Sequence, residues 1–266
     1  MSVIGPSAPV PLLFTVEFRR VMARLPIAER KQWLASLAER VRGSASTSLR
    51  DELREVARGC RLELVDAIPK HLGTFDPPLL RALLEVPRER FTRPDDIERS
   101  AEDNPLPLDD EGLATLSAPH AYLLSYRLLE LRAGDFLVEL GSGSGYGAAL
   151  ASFVVGSRGW VRSFEIDPRL AHWAQHNVAD LDNVTVLQRD AMTSVPDWGA
   201  ASKVSVTFAV EEIPPVWIDA LPAGGALVAP VGAPGRDQRL VLVRRHGDRL
   251  VRTEHGAVRY VPNRSR

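Results

Sequence analysis

The run Glu139-Leu140-Gly141-Ser142-Gly143-Ser144-Gly145-Tyr146 has the residue types and spacing of a ligand-binding turn. Phe136, Leu137 and Val138 precede it as a short apolar strand, and three alternate glycines let the backbone turn sharply and approach a ligand. A dinucleotide fingerprint would place a glycine where Tyr146 stands. Glu139 lies two residues before the first glycine. An acid there repels a pyrophosphate but suits a ligand carrying an ammonium and a sulfonium, which describes S-adenosylmethionine. Two more acids fall at expected strand ends. Glu165 lies where a carboxylate accepts both ribose hydroxyls, about twenty residues past the glycine turn. Asp190 is placed to take the adenine amine, with the backbone N–H of Ala191 directed at the ring. Ligands in such sheets bind beyond the carboxyl ends of the strands, so Glu139, Glu165 and Asp190 are expected to converge.

Other chemistry is weaker. His172 and His176 are four apart on a helix, a metal-ligand spacing, but no third ligand lies near them, so no metal is expected. The tryptophans at 33, 160, 173, 198 and 217 read as packing residues. Cys60 is the single cysteine, which excludes an intrachain disulfide and suits a reducing cytoplasm. The formal net charge is −1, so no overall field draws the chain to nucleic acid or an anionic membrane. Met1 to Leu13 lacks the basic start and apolar run of a secretion signal, and no stretch is apolar enough to span a bilayer.

The elements that must hold these residues follow from periodicity. Helical stripes run through Phe18, Val21, Met22 and Leu25, then Trp33, Leu34, Leu37 and Val41, then Leu49, Leu53, Val56 and Cys60, the last helix capped by Ser48. Residues 43–48 form a polar linker, and residues 62–72 continue helically to Gly73. Another helix opens at Asp76-Pro77-Pro78, residues 92–112 are irregular, and a helix spans about 118–131. Strands fall near 136–140, 160–165, 184–188, 203–209, 225–229, 239–244 and 256–261. The chain therefore reads as α/β, a doubly wound, mainly parallel seven-stranded Rossmann-like sheet at 73–266 behind a helical extension at 1–72. The extension's stripes require burial, against the catalytic domain as part of a lid or against a second copy in a homodimer.

Several motifs together resemble the protein-L-isoaspartate (D-aspartate) O-methyltransferase family of class I methyltransferases. Val86-Pro87-Arg88-Glu89-Arg90-Phe91, Glu102–Leu108, Thr115-Leu116-Ser117-Ala118-Pro119-His120, Glu139–Tyr146, Glu211 to Gly232 and Arg259-Tyr260-Val261-Pro262 carry the likeness. The resemblance implies a carboxyl O-methyltransferase acting on an isoaspartyl or aspartyl carboxylate of a protein or peptide. It implies Ser117 as the active-site serine. Cofactor contacts would come from Thr115, Leu116, Glu139, Gly141, Ser142, Gly143, Gly145, Glu165, Ile166, Asp190 and Ala191. Substrate contacts would come from Pro119, His120, Ile213, Val261 and Pro262. Departures are equally plain. Arg189-Asp190-Ala191 replaces a Gly-Asp-Gly turn, Phe208 to Glu212 replaces a run of small residues, and the helix that usually follows the last motif is missing. These leave open an enzyme specialised for one peptide or small acid, and a cofactor-binding adaptor without activity. Ser117 and His120 also invite a serine-hydrolase reading, but no acid partner for the histidine stands out in the sequence.

Overall fold

The computed structural model describes residues 24–42, 44, 46–233 and 235–265. The expectations for Met1 to Leu13 and for the Phe18, Val21, Met22 stripe lie outside these residues. The described residues form two compact units: one holds those up to Thr74 together with Pro87–Glu102, the other Phe75–Val86 together with those from Asp103 onward. The units interleave where the sequence suggested a single boundary after residue 72. The exchanged piece is α3 (Pro77–Glu85), whose buried Leu79, Ala82 and Leu83 lie with the sheet unit.

In the helical unit, α1 (Ile27–Val41) and α2 (Thr47–Leu72) form a hairpin. Ser46, not Ser48, caps α2, its hydroxyl accepting from the Leu49 N–H at 3.3 Å. The apolar stripes meet each other: Leu34, Leu37 and Ala38 pack with Leu53, Val56, Ala57 and Cys60, and Ala101 joins them. The Arg30 guanidinium ties the hairpin by donating to the Gly59 carbonyl at 2.7 Å. The stripes are thus covered inside the unit, and burying them requires neither a lid role nor a second copy. No helix among the described residues is long and apolar enough to cross a membrane.

The sheet unit carries a two-stranded hairpin, β1 (Leu106–Pro107) and β2 (Thr115–Leu116), then α4 (Pro119–Leu129). The main sheet follows: β3 (Phe136–Leu140), α5 (Tyr146–Val155), β4 (Trp160–Glu165), α6 (Pro168–Asn177), β5 (Val184–Gln188), β6 (Lys203–Val206), α7 (Pro215–Asp219), β7 (Ala226–Val231), β8 (Gln238–His246) and β9 (Arg249–Val258). The strand order is β5-β4-β3-β6-β7-β8-β9, parallel up to β7, with β8 and β9 antiparallel at one edge. The last strand starts earlier than expected because Gly247 and its neighbours close a β8–β9 hairpin. Val138, Leu140, Val204, Val206, Leu227 and Ala229 form the apolar centre, with Trp198 and Trp217 packed in. Connections from the central strands β3 and β6 diverge to opposite sides, which opens a crevice at their carboxyl ends.

Candidate active site

Four strand ends and two loops meet at that crevice. Its walls include Leu113, Ala114 and Thr115 from the β1–β2 hairpin, Gly141 and Gly143 after β3, and Phe164, Glu165 and Ile166 at the end of β4. Arg189 and Ala191 follow β5, Thr207 and Phe208 follow β6, and Val261 to Ser265 complete the lining.

The glycine turn explains how backbone forms one wall. Gly141 has φ +97°, and a Cβ there would overlap Thr207 Oγ1 and approach Phe208 Cδ1 to 3.0 Å. Thr207 replaces that missing side chain, its hydroxyl donating to the Gly141 carbonyl at 2.6 Å. Across the turn, the Glu165 carboxylate accepts from the Gly143 N–H at 2.8 Å and from the Asp167 N–H at 3.0 Å. Burial raises the Glu165 pKa, and these N–H donors act against it. An acid fixed at a strand end, beside a turn that shows the cleft only its glycines, is chemistry suited to a ribose.

Eight of the sequence-derived site residues line the cleft: Thr115, Gly141, Gly143, Glu165, Ile166, Ala191, Val261 and Pro262. Asp190 lies between two of the lining residues. It caps a short turn by accepting from the Met192 N–H at 2.8 Å, and it accepts the Ser265 hydroxyl at 2.6 Å. Ser117 is half-buried, between the end of β2 and the start of α4. Pro119 and His120 open α4. The Asp103 carboxylate accepts the His120 backbone N–H at 3.0 Å and lies 2.9 Å from its Nδ1. An acid partner for this histidine therefore exists, seventeen residues upstream, at a separation no sequence pattern marks.

Glu139 is placed differently from expectation. It is 1% exposed and is not part of the cleft lining. Its Oε2 accepts the Ser163 hydroxyl at 2.5 Å, and Ser163 in turn shares a 2.6 Å hydrogen bond with Ser142. Burial pushes the Glu139 carboxyl up to about 8; the Ser163 bond lowers it only in part, and Glu165 raises it further. A carboxyl in that state braces the turn from beneath. The reason lies in the pleat: Glu139 projects from the face of β3 that meets the start of α5, where its Oε1 occupies the space a Cβ on Gly147 would fill. Leu116 and Ile213 are likewise buried, the latter in the sheet core. Ser142 is committed to Ser163, and Gly145 starts α5 against Ala174 and Val178 of the α6 region.

Sequence reasoning put the bulk of the Thr207–Glu212 run near the substrate cleft but did not name Leu113, Ala114, Phe164, Leu170, Arg189, Asn263, Arg264 and Ser265 as lining residues. The strand-end rule applied to β6 finds Thr207 and Phe208. Nothing local marks the segment after Pro262.

Comparison with known proteins gives a consistent set. A family model described as Protein-L-isoaspartate(D-aspartate) O-methyltransferase (PCMT) matches residues 62–266. The chain is 38% identical over 197 residues to a protein-L-isoaspartate O-methyltransferase of Korarchaeum cryptofilum, covering 70% of this chain and 88% of the relative. It is 34% identical over 187 residues to the Fervidobacterium nodosum protein of the same name, covering 69% and 92%. A solved protein-L-isoaspartate O-methyltransferase superposes with a TM-score of 0.69 at 29% identity, over 76% of this chain and 65% of that one.

Proposed function

The chain belongs to the protein-L-isoaspartate(D-aspartate) O-methyltransferase family, and on that premise we propose that it transfers a methyl group from S-adenosylmethionine to an isoaspartyl carboxylate of a protein or peptide. The observation that carries this reading is the cleft at the β3–β6 crevice, where Glu165 and the Gly141–Gly143 backbone face one space. The residues fit the cofactor: bare backbone at Gly141 and Gly143, a carboxylate for the ribose at Glu165 and the apolar Ile166 beside it line the cleft, and Asp190 stands outside the lining between Arg189 and Ala191 with its Oδ1 already accepting from Met192 and Ser265.

The bound cofactor supplies an electrophilic methyl on a sulfonium. The rest of the work falls to this chain. A carboxylate with its ordinary pKa of ~4 is ionised at neutral pH, so the acceptor needs no strong base. Ser117 donates a hydrogen bond to one carboxylate oxygen and turns the other toward the methyl. Glu165 accepts the ribose hydroxyls and fixes the donor end. Thr115, Phe208, Val261 and Pro262 exclude water around the path. An anion and a cation become a neutral ester and a thioether, so a dry cleft favours the reaction.

Phe208 supports a second, narrower reading. Its ring lines the cleft and meets Trp217 edge-on with centroids 6.3 Å apart. A wall this bulky favours one dedicated acceptor over many damaged proteins. The lone Cys60 accords with a cytoplasmic setting. The test is methyl transfer from labelled cofactor to an isoaspartyl peptide, with the matched aspartyl peptide as control. Product labile to mild base identifies an ester, and transfer to neither peptide removes the isoaspartyl reading.

A further inference from the structure

The segment after Pro262 crosses the cofactor end of the cleft and is held there by charge. Val261 and Asn263 are anchored by backbone: the Ala209 N–H donates to the Val261 carbonyl at 2.8 Å, and the Asn263 N–H donates to the Ala209 carbonyl at 3.0 Å. Beyond Asn263, the contacts to other parts of the sheet unit, among the described residues, come from side chains. The Ser265 hydroxyl donates to Asp190 at 2.6 Å. The Arg264 guanidinium stands 3.5 Å from Asp167 Oδ2 and 3.9 Å from Asp109 Oδ2.

Those two carboxylates come from different elements. Asp109 sits in the β1–β2 hairpin, fixed by accepting the Leu113 N–H at 2.9 Å, and Leu113 lines the cleft. Asp167 caps α6, accepting the Arg169 N–H at 2.8 Å, and its own N–H donates to Glu165. Their side chains are 6% and 10% exposed, and that of Arg264 is 27% exposed. Charges so sheltered are screened far less than surface pairs. The Arg264 contacts are ionic and longer than good hydrogen bonds, so the cation is held without being locked.

We propose that Arg264 is the latch of a strap, Val261 to Ser265, which joins the hairpin to the start of α6 and sets how fast S-adenosylmethionine and its demethylated product exchange. Arg264 acts as a positioning residue. It holds closed the walls that keep the cofactor in place, and opening requires its two ion pairs to separate. Asp190 serves both sides, pinning the strap through Ser265 while standing where the adenine amine would bind. The inference rests on the cofactor reading of the cleft.

Stopped-flow release of S-adenosylhomocysteine from the full chain tests it, with calorimetry giving the affinity. Arg264→Ala is expected to speed release by about tenfold or more, since both ion pairs are lost together. Arg264→Lys keeps the charge and should restore most of the slow release. Asp109→Asn, which breaks the latch from the other side, should speed release in the same direction and keeps the test available if an Arg264 variant folds poorly. Unchanged release in both Arg264→Ala and Asp109→Asn would overturn the latch while leaving the cofactor reading intact. A parent chain that fails to bind the product at all would remove both.

Discussion

Gly147 lies directly beneath the carboxyl of Glu139: a Cβ on Gly147 would overlap Glu139 Oε1 and come within 2.7 Å of Tyr122 Cε1. The pair explains a glycine inside α5 and a buried acid inside β3 with one packing relationship. The carboxyl reaches into the start of the helix, where the Ala148 N–H donates to it, and only a residue without a side chain leaves it room.

Gly147→Ala is expected to destabilise the fold by about 1–3 kcal/mol, the usual cost of overpacking a dense core. Helix propensity alone predicts the opposite sign, a gain of about 1 kcal/mol. A denaturant midpoint that falls, measured against the parent, identifies the clash with Glu139 and Tyr122, rather than helix propensity, as the dominant effect.

Glu139 should also give stability a pH dependence. Its folded pKa, about 8, lies above the ordinary value of 4.5. The unfolded chain therefore releases this proton more readily, and stability falls as pH rises from about 5 through 8. Glu139→Gln keeps the shape and an acceptor for Ser163 but does not ionise. The measurement is the difference in unfolding free energy between parent and variant at pH 5 and pH 8. The variant should lose part of the downward slope; identical slopes would contradict the buried, proton-holding carboxyl.

Much of this was legible in the sequence, for reasons that differ by residue. The sheet was readable because β3 opens as an apolar run into a glycine turn and β4 and β6 carry valine and aromatic residues between turn signals, and strand ends mark the crevice. Glu165 was readable because its distance from the turn is set by one βαβ unit. That Glu139 is buried and does not line the cleft was not legible, because sequence shows proximity to the turn but not which way a strand side chain points. The strap was not readable: Arg264 meets Asp109 and Asp167 only through the tertiary fold, and their separations in the chain follow no period. The helical unit taught a similar lesson, since its stripes were visible but their mutual pairing was not.

Glu165→Ala should weaken S-adenosylhomocysteine binding. Each charge-assisted hydrogen bond to a ribose hydroxyl contributes roughly 1.5–3 kcal/mol, so a loss of at least about tenfold in affinity is expected. Calorimetry at fixed salt reads it directly. Because Glu165 also receives the Gly143 N–H, Glu165→Gln is the companion variant. It keeps an acceptor for the Gly143 N–H but turns a donor toward the Asp167 N–H, so the melting temperature of each variant is read beside its affinity to separate the ribose contact from turn geometry.

Ser117→Ala should lower turnover while leaving the melting temperature and product affinity close to those of the parent. The residue is half-buried at the junction of β2 and α4, so removal of one hydroxyl costs little packing. If product affinity collapses instead, Ser117 belongs to the cofactor's surroundings and its assignment to the acceptor carboxylate is wrong.

The central claim is methyl transfer to an isoaspartyl carboxylate, and the most direct measurement presents three reactions side by side: labelled S-adenosylmethionine with an isoaspartyl peptide, with the matched aspartyl peptide, and with no peptide. The account predicts base-labile methyl label on the isoaspartyl peptide, far above the other two, and its loss with Ser117→Ala. Equal label in all three reactions, from a chain that binds the cofactor's product, would contradict it.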